Sequence, residues 1–385
     1  MFRVNIACNL WDLADAGIEG TLDRIQSTGA AGVTLIVTSA PIAQIRCLDV
    51  DPRIFRSRGG FFFRPDEECY VDTRAKPVLS TWLKSRDPMT DAVTAIRKRG
   101  LGLHLRISAF ETGRIGQRHP ETAAKTAFGD AADNTLCPAN AEIRALLRAT
   151  AVDLEQRCRP DAIELADLRY HSGATTGAGL EMDFEPGAGF FALLNLCFCE
   201  SSRQWADERG IDAAAAARWA AVQMEKVLVT GRPCTHTLDE LLTGADIPGR
   251  YVAAQAEALD SLIEHIADRV QAPLVLALPP EAGSGLLPSA KVFTGNTTPL
   301  IQLDDIDRDS LEGLLEHQRT RFGSAISPTF ELNAAAAAPQ DLVSMLKHVA
   351  DAGVPSVTIG SFALIPPDTL EPVKQAIRYA TRSVP

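Results

Sequence analysis

The stretch Asp161-Ala-Ile-Glu-Leu-Ala-Asp-Leu-Arg-Tyr170 alternates along its first half and then ends in charge. In an extended strand, Ile163 and Leu165 fall on one face and Ala162, Glu164 and Ala166 on the other. Asp167, Arg169, Tyr170 and His171 follow at once. A helical pattern from Ala141 to Arg157 precedes the stretch, and Cys158-Arg159-Pro160 supplies the stop between them. A strand with a carboxylate on one face and a charged loop at its C-terminal end is how a parallel α/β enzyme presents its active site.

The same unit recurs along the chain. Val4–Asn9, Gly32–Thr38, Leu101–Ser108, Leu274–Leu278, Leu300–Asp304, Ala325–Glu331 and Ser356–Phe362 are short β-rich runs, which with Ala162–Ala166 make eight. Helical patterns separate them, at Gly20–Thr28, Thr90–Arg99, Arg250–Val270, Ser310–Arg321 and Pro339–Ala352 among others. Glycines close several of these helices just before a strand, as in Asp351-Ala-Gly-Val-Pro355. Eight β-α units in series predict an α/β fold, a single (β/α)8 TIM barrel over residues 1–385. A doubly wound open sheet is the rival arrangement. No Gly-x-Gly-x-x-Gly opens a helix after the first strand, which weakens a dinucleotide-binding reading. Two long insertions, about 41–82 and 171–250, follow strands two and four and are expected to form the barrel mouth.

Composition narrows the function. The 385 residues carry 38 basic and 49 acidic side chains, a formal charge of −11. That balance argues against nucleic acid or a membrane surface as partner, and no apolar run reaches membrane-spanning length. Met1-Phe-Arg-Val-Asn-Ile enters a strand pattern without the apolar core of a signal peptide. Eight scattered cysteines then read as reduced thiols, and the chain as cytoplasmic.

Phase within the strands gives a sharper expectation. Val4, Ile6, Val33, Leu35, Leu103, Leu105, Ile163, Leu165, Val357 and Ile359 suit packing under helices. The opposite, inward face carries Asn5, Asn9, Thr34, Thr38, His104, Arg106, Ser108, Glu164, Gln302, Asp304, Thr329, Glu331 and Thr358. A barrel built only for stability fills this face with branched apolar residues. Polar groups there must pair with each other, with water or with a ligand. Arg106 and Glu164 share a phase on neighbouring strands and are expected to form a buried pair. Glu331, at the end of strand seven, is expected at the rim, where a neighbouring Asp304 suits a general acid and an ionised state suits a nucleophile.

Two carboxylates at a barrel mouth, from strands four and seven, suit glycoside hydrolysis: one protonates the leaving oxygen and the other attacks or activates water. The catalytic candidates are therefore Glu331 with Asp167 or Glu164. His104, Arg106, Trp11, Tyr170, His171 and Asp304 are the candidates for binding substrate, the aromatic ones by stacking on sugar faces. Cys197-Phe-Cys199, followed by Ser201 and Ser202, is not a four-ligand zinc set, so no metal and no cofactor is assigned. The strands contain no Lys, which disfavours a lyase or isomerase with a lysine base.

Three segments resemble bacterial glycoside-hydrolase-like barrels of the family 10-like, or hypothetical glycosyl hydrolase, type. They are His119-Pro-Glu121 with Gly129-Asp130 and Leu136-Cys-Pro-Ala-Asn-Ala-Glu-Ile-Arg144; then Asp161–Tyr170; then Leu196-Cys-Phe-Cys199 with Ala206 and Gly210-Ile-Asp212. The resemblance implies the barrel fold and a small carbohydrate-like ligand. In related barrel galactosidases a similar cysteine cluster binds zinc. Two departures stand out. The acidic residue of the sixth motif position is Ala166, and the third thiol of the cysteine passage is Ser202. Glu164 or Asp167 would then replace the missing acid; otherwise the chain is a sugar-binding or regulatory barrel that has lost catalysis.

Overall fold

Alternating burial closes the sheet. The computed structural model describes residues 2–84, 86–111, 114–170, 182–278, 286–303, 308–322, 329–332 and 339–382. Eight parallel strands form a closed barrel in chain order: β1 (Arg3–Asn9), β2 (Gly32–Ile36), β3 (Gly102–Ser108), β4 (Ala162–Ala166), β5 (Leu274–Leu278), β6 (Thr297–Leu303), β7 (Thr329–Leu332) and β8 (Ser356–Ile359). β8 pairs back onto β1 through Val4↔Val357 and Ile6↔Ile359. The outward positions Ile6, Val33, Leu35, Leu103, Leu105, Ile163, Leu165 and Ile359 are fully buried under the helices. The fold is thus a (β/α)8 barrel, and the open-sheet rival is excluded by the closed ladder.

Boundaries differ from the sequence pattern in instructive places. The second strand was expected to run to Thr38, but β2 stops at Ile36, and Thr38–Ser39 peels away to pair antiparallel with Gly60–Phe61. Two bonds hold that departure: Phe62 N–H donates to the Val37 carbonyl at 2.9 Å, and Ser108 N–H donates to Thr38 Oγ1 at 2.8 Å. β6 begins at Thr297, three residues before the expected Leu300. The expected start of strand seven, residues 325–328, lies outside the described residues. Helix Ala141–Cys158 forms where expected. Asn140 caps it by accepting from Glu142 N–H at 3.0 Å, and Arg159, left-handed at φ 46°, ends it.

The chain after β2 forms a second antiparallel hairpin, Ile42–Ile45 with Ile54–Ser57. Buried Arg46 fastens it to the barrel through Asp12 (3.3 Å) and Asp15 (2.9 Å), just past β1. Phe61, Phe62 and Phe63 of this insertion are buried. After β3 comes an antiparallel ribbon that periodicity did not reveal, Ala123–Lys125 with Ala131–Leu136. After β4 the described chain is helical, with helices Ala188–Leu194, Glu200–Asp207 and Ala213–Thr230 before the long helix Asp246–Ala267. Among the described residues no helix is long and apolar enough to cross a membrane.

The barrel interior is divided. On one side Ala162, Val275, Ala277 and Leu300 pack into a small apolar cluster. On the other, buried Asn5, Thr34, Arg106, Glu164 and Thr358 make the interior polar. Hydrophobic packing serves the first group, and hydrogen bonding must satisfy the second.

Candidate active site

Glu164 is the centre of the polar half. Its side chain is 0% exposed. Oε1 accepts from Thr34 Oγ1 at 2.9 Å and lies 2.9 Å from His104 Nδ1, while Oε2 accepts from Arg106 Nε at 2.8 Å. The register pairs that place these groups together are Thr34↔His104 and Arg106↔Glu164. Burial alone would raise this carboxyl's pKa. The Arg106 charge and the His104 hydrogen bond and charge outweigh burial and hold it down to about 2. An ionised carboxylate only accepts, so His104 Nδ1 carries the donated proton.

Arg106 turns its other arm toward strand seven. Nη1 donates to Glu331 Oε1 at 2.7 Å, and Gln302 Nε2 donates to Glu331 Oε2 at 3.0 Å. One guanidinium thus bridges the two carboxylates read from strands four and seven. Burial works against its proton, but the charges of Glu331 and Glu164 more than reverse that and raise its pKa. Glu331 keeps 14% of its side chain exposed, so it stands at the edge of this network rather than inside it. Glu164 has no face left for a substrate. Its role in the geometry is to hold Arg106 and His104.

Past the strand ends lies a second carboxyl pair. Asp167 follows β4 directly and adopts φ 59°, a left-handed conformation that costs an L-residue about 1–2 kcal/mol. Its Oδ2 accepts from Ser108 Oγ at 2.6 Å, across from the end of β3. Glu111 sits three residues beyond Ser108 and is only 5% exposed. Desolvation, then the Asp167 charge, pushes the Glu111 carboxyl up to about 7, with Arg169 opposing. Two carboxyls in unlike surroundings, one held as the acid near neutral pH, are what acid–base work needs. The sequence reading missed Glu111, which lies in the loop three residues past the end of β3.

The remaining candidates fall elsewhere. Trp11 is 0% exposed and covered by Phe62 (centroids 4.0 Å apart) and Phe55 (5.6 Å). Both partners come from the first insertion, so the ring packs that insertion onto the barrel and offers no face for stacking on a sugar. Tyr170 is buried as well, close to the cysteines described next. His171 and Asp304 lie outside the described residues.

The cysteine passage gains a member that spacing hid. Cys137 Sγ joins Cys197 and Cys199, all buried, with the three sulfurs within 4.8 Å of one another. Ser202 Oγ lies 3.2 Å from Cys137 Sγ. Two thiols in sequence therefore become three in space. Hydrogen bonding, first from Cys137, lowers the Cys199 thiol's pKa, while burial raises those of Cys137 and Cys197. Sulfurs around a tetrahedral zinc at 2.3 Å stand about 3.8 Å apart, so this donor set fits such an ion. Cys137, Cys197 and Cys199 would hold it. Its chemistry there would be structural, tying the ribbon after β3 to the helices after β4.

No protein-family model matches the sequence, and no curated protein matches it. Solved structures match the fold. The glycoside hydrolase domain of PgaB (BpsB) from Bordetella bronchiseptica aligns with a TM-score of 0.62 at 10% identity, over 99% of this chain and 98% of that one. β-Galactosidases from Halorubrum lacusprofundi (TM-score 0.58, 10% identity) and Marinomonas ef1 (0.56, 10%) align over 99% and 98% of this chain and 58% and 59% of theirs. The barrel is glycoside-hydrolase-like in fold.

Proposed function

We propose that the chain acts on a glycoside or small carbohydrate at the C-terminal mouth of the barrel, with Glu111 and Asp167 as the carboxyl pair. The observation that carries this reading is the raised pKa of Glu111 beside the hydrogen-bonded, left-handed Asp167. Protonated Glu111 donates to the leaving oxygen, and Asp167 attacks or activates water. Glu331 is held by Arg106, which Glu164 anchors in turn. The glycoside hydrolase folds of the similar structures support a carbohydrate-like ligand.

One observation favours a second reading, a sugar-binding barrel without catalysis: Ala166 replaces the expected acid, and Glu164 is sealed. Turnover of a panel of aryl glycosides separates the two. We expect hydrolysis of at least one, falling about 100-fold or more in Asp167→Asn and in Glu111→Gln. Saturable sugar binding with no turnover supports the inert reading. Activity untouched by both variants rejects the assigned pair.

A further inference from the structure

A cavity of about 910 Å³ opens at the other end of the barrel, among the first residues of the strands and the turns that enter them. This end of a (β/α)8 barrel ordinarily serves stability. Here small residues, Gly102 opening β3 and Ala162 opening β4, leave the axis unfilled. The volume lies within the range of small-molecule sites.

Its polar lining is selective. Arg97 and Asp161 neutralise each other at 3.1 Å, and Asp161 Oδ2 also accepts from Leu103 N–H at 2.7 Å. Exposed Arg3 has no ion-pair partner among the described residues, so it leaves the lining positive on a chain of charge −11. His104 commits its Nδ1 proton to Glu164 and keeps 24% of its side chain exposed, so it lines the cavity without offering a second donor. Asn5 is buried, with Nδ2 3.4 Å from that same Nδ1. Because Nδ1 already carries a proton, it cannot accept from Asn5, whose amide hydrogens remain available. Pro273, Val275 and Pro355 supply apolar wall.

We propose that this cavity binds a compact oxyanion, a carboxylate or phosphate on a small body, through the Arg3 guanidinium and the Asn5 amide. The site is separate from the mouth and does not depend on the function assigned there. Calorimetric titration of the full chain tests it, with inorganic phosphate in one arm and acetate in the other, at ionic strength fixed by chloride. We expect saturable one-site binding in at least one arm. The preferred anion then separates a phosphate from a carboxylate source. Arg3→Glu, an exposed change that leaves the core intact, should weaken binding about tenfold or more, while Arg218→Glu on a distant helix and Asp167→Asn at the mouth should not. Absence of saturable binding in both arms overturns the proposal. So does affinity equal in Arg3→Glu and wild type, or an equal loss in Arg218→Glu.

Discussion

Glu164→Gln isolates the charge at the centre of the barrel while almost preserving shape. Gln can still accept from Thr34 and His104, but its amide turns a donor toward Arg106 where a carboxylate accepted. A folded-state pKa of about 2 against an ordinary 4.5 corresponds to about 3 kcal/mol in favour of the ionised form. Removing one partner of a buried pair costs a comparable 3–5 kcal/mol. The carboxyl's pKa is lowered on folding, so its contribution is fully present above pH 4.5 and is lost as pH falls toward 2. Urea denaturation of wild type and variant should therefore differ by about 3 kcal/mol at pH 7 and by about 2 kcal/mol at pH 3.5. A difference below about 1 kcal/mol at pH 7, or one that does not shrink in acid, refutes the assignment of Glu164 as an ionised anchor.

Glu111 should behave in the opposite sense. Its pKa is raised to about 7, so the folded state loses stability as pH rises from 4.5 to 7. Glu111→Gln should therefore gain about 1–3 kcal/mol on wild type at pH 8 and nothing at pH 4; an equal effect at both pH values removes the case for a raised pKa. Metal analysis of the purified protein should give one zinc per chain, bound by Cys137, Cys197 and Cys199 and lost in Cys137→Ser. A chain without zinc, or a variant that keeps it, means that the three thiols form no metal site.

The strands were legible because burial imposes a period of two, and the outward set of Ile, Leu and Val is the same in sequence and structure. Register then followed for Arg106 and Glu164, since neighbouring parallel strands bring equal phases together. Three features were not legible, each for a physical reason. Cys137 is sixty residues from Cys197, and only the ribbon after β3 carries it to the other thiols. Glu111 lies in a loop, where no period predicts direction. Trp11 looked like a stacking residue because it follows a strand end; that Phe55 and Phe62 cover it depends on the path of an insertion with no repeating pattern. The polar interior was overestimated for a related reason. Strand five is apolar throughout, so no alternation marks its inward Val275 and Ala277 off from its outward leucines.

The pH dependence of kcat/KM, measured on the best aryl glycoside for wild type and Glu111→Gln, tests the central claim most directly. If Glu111 is the acid, the wild-type rate falls as pH rises through about 7, where that carboxyl loses its proton. In Glu111→Gln the residual activity should lack this limb. An unchanged basic limb in the variant contradicts the account, as does a chain that neither hydrolyses nor binds any glycoside in the panel.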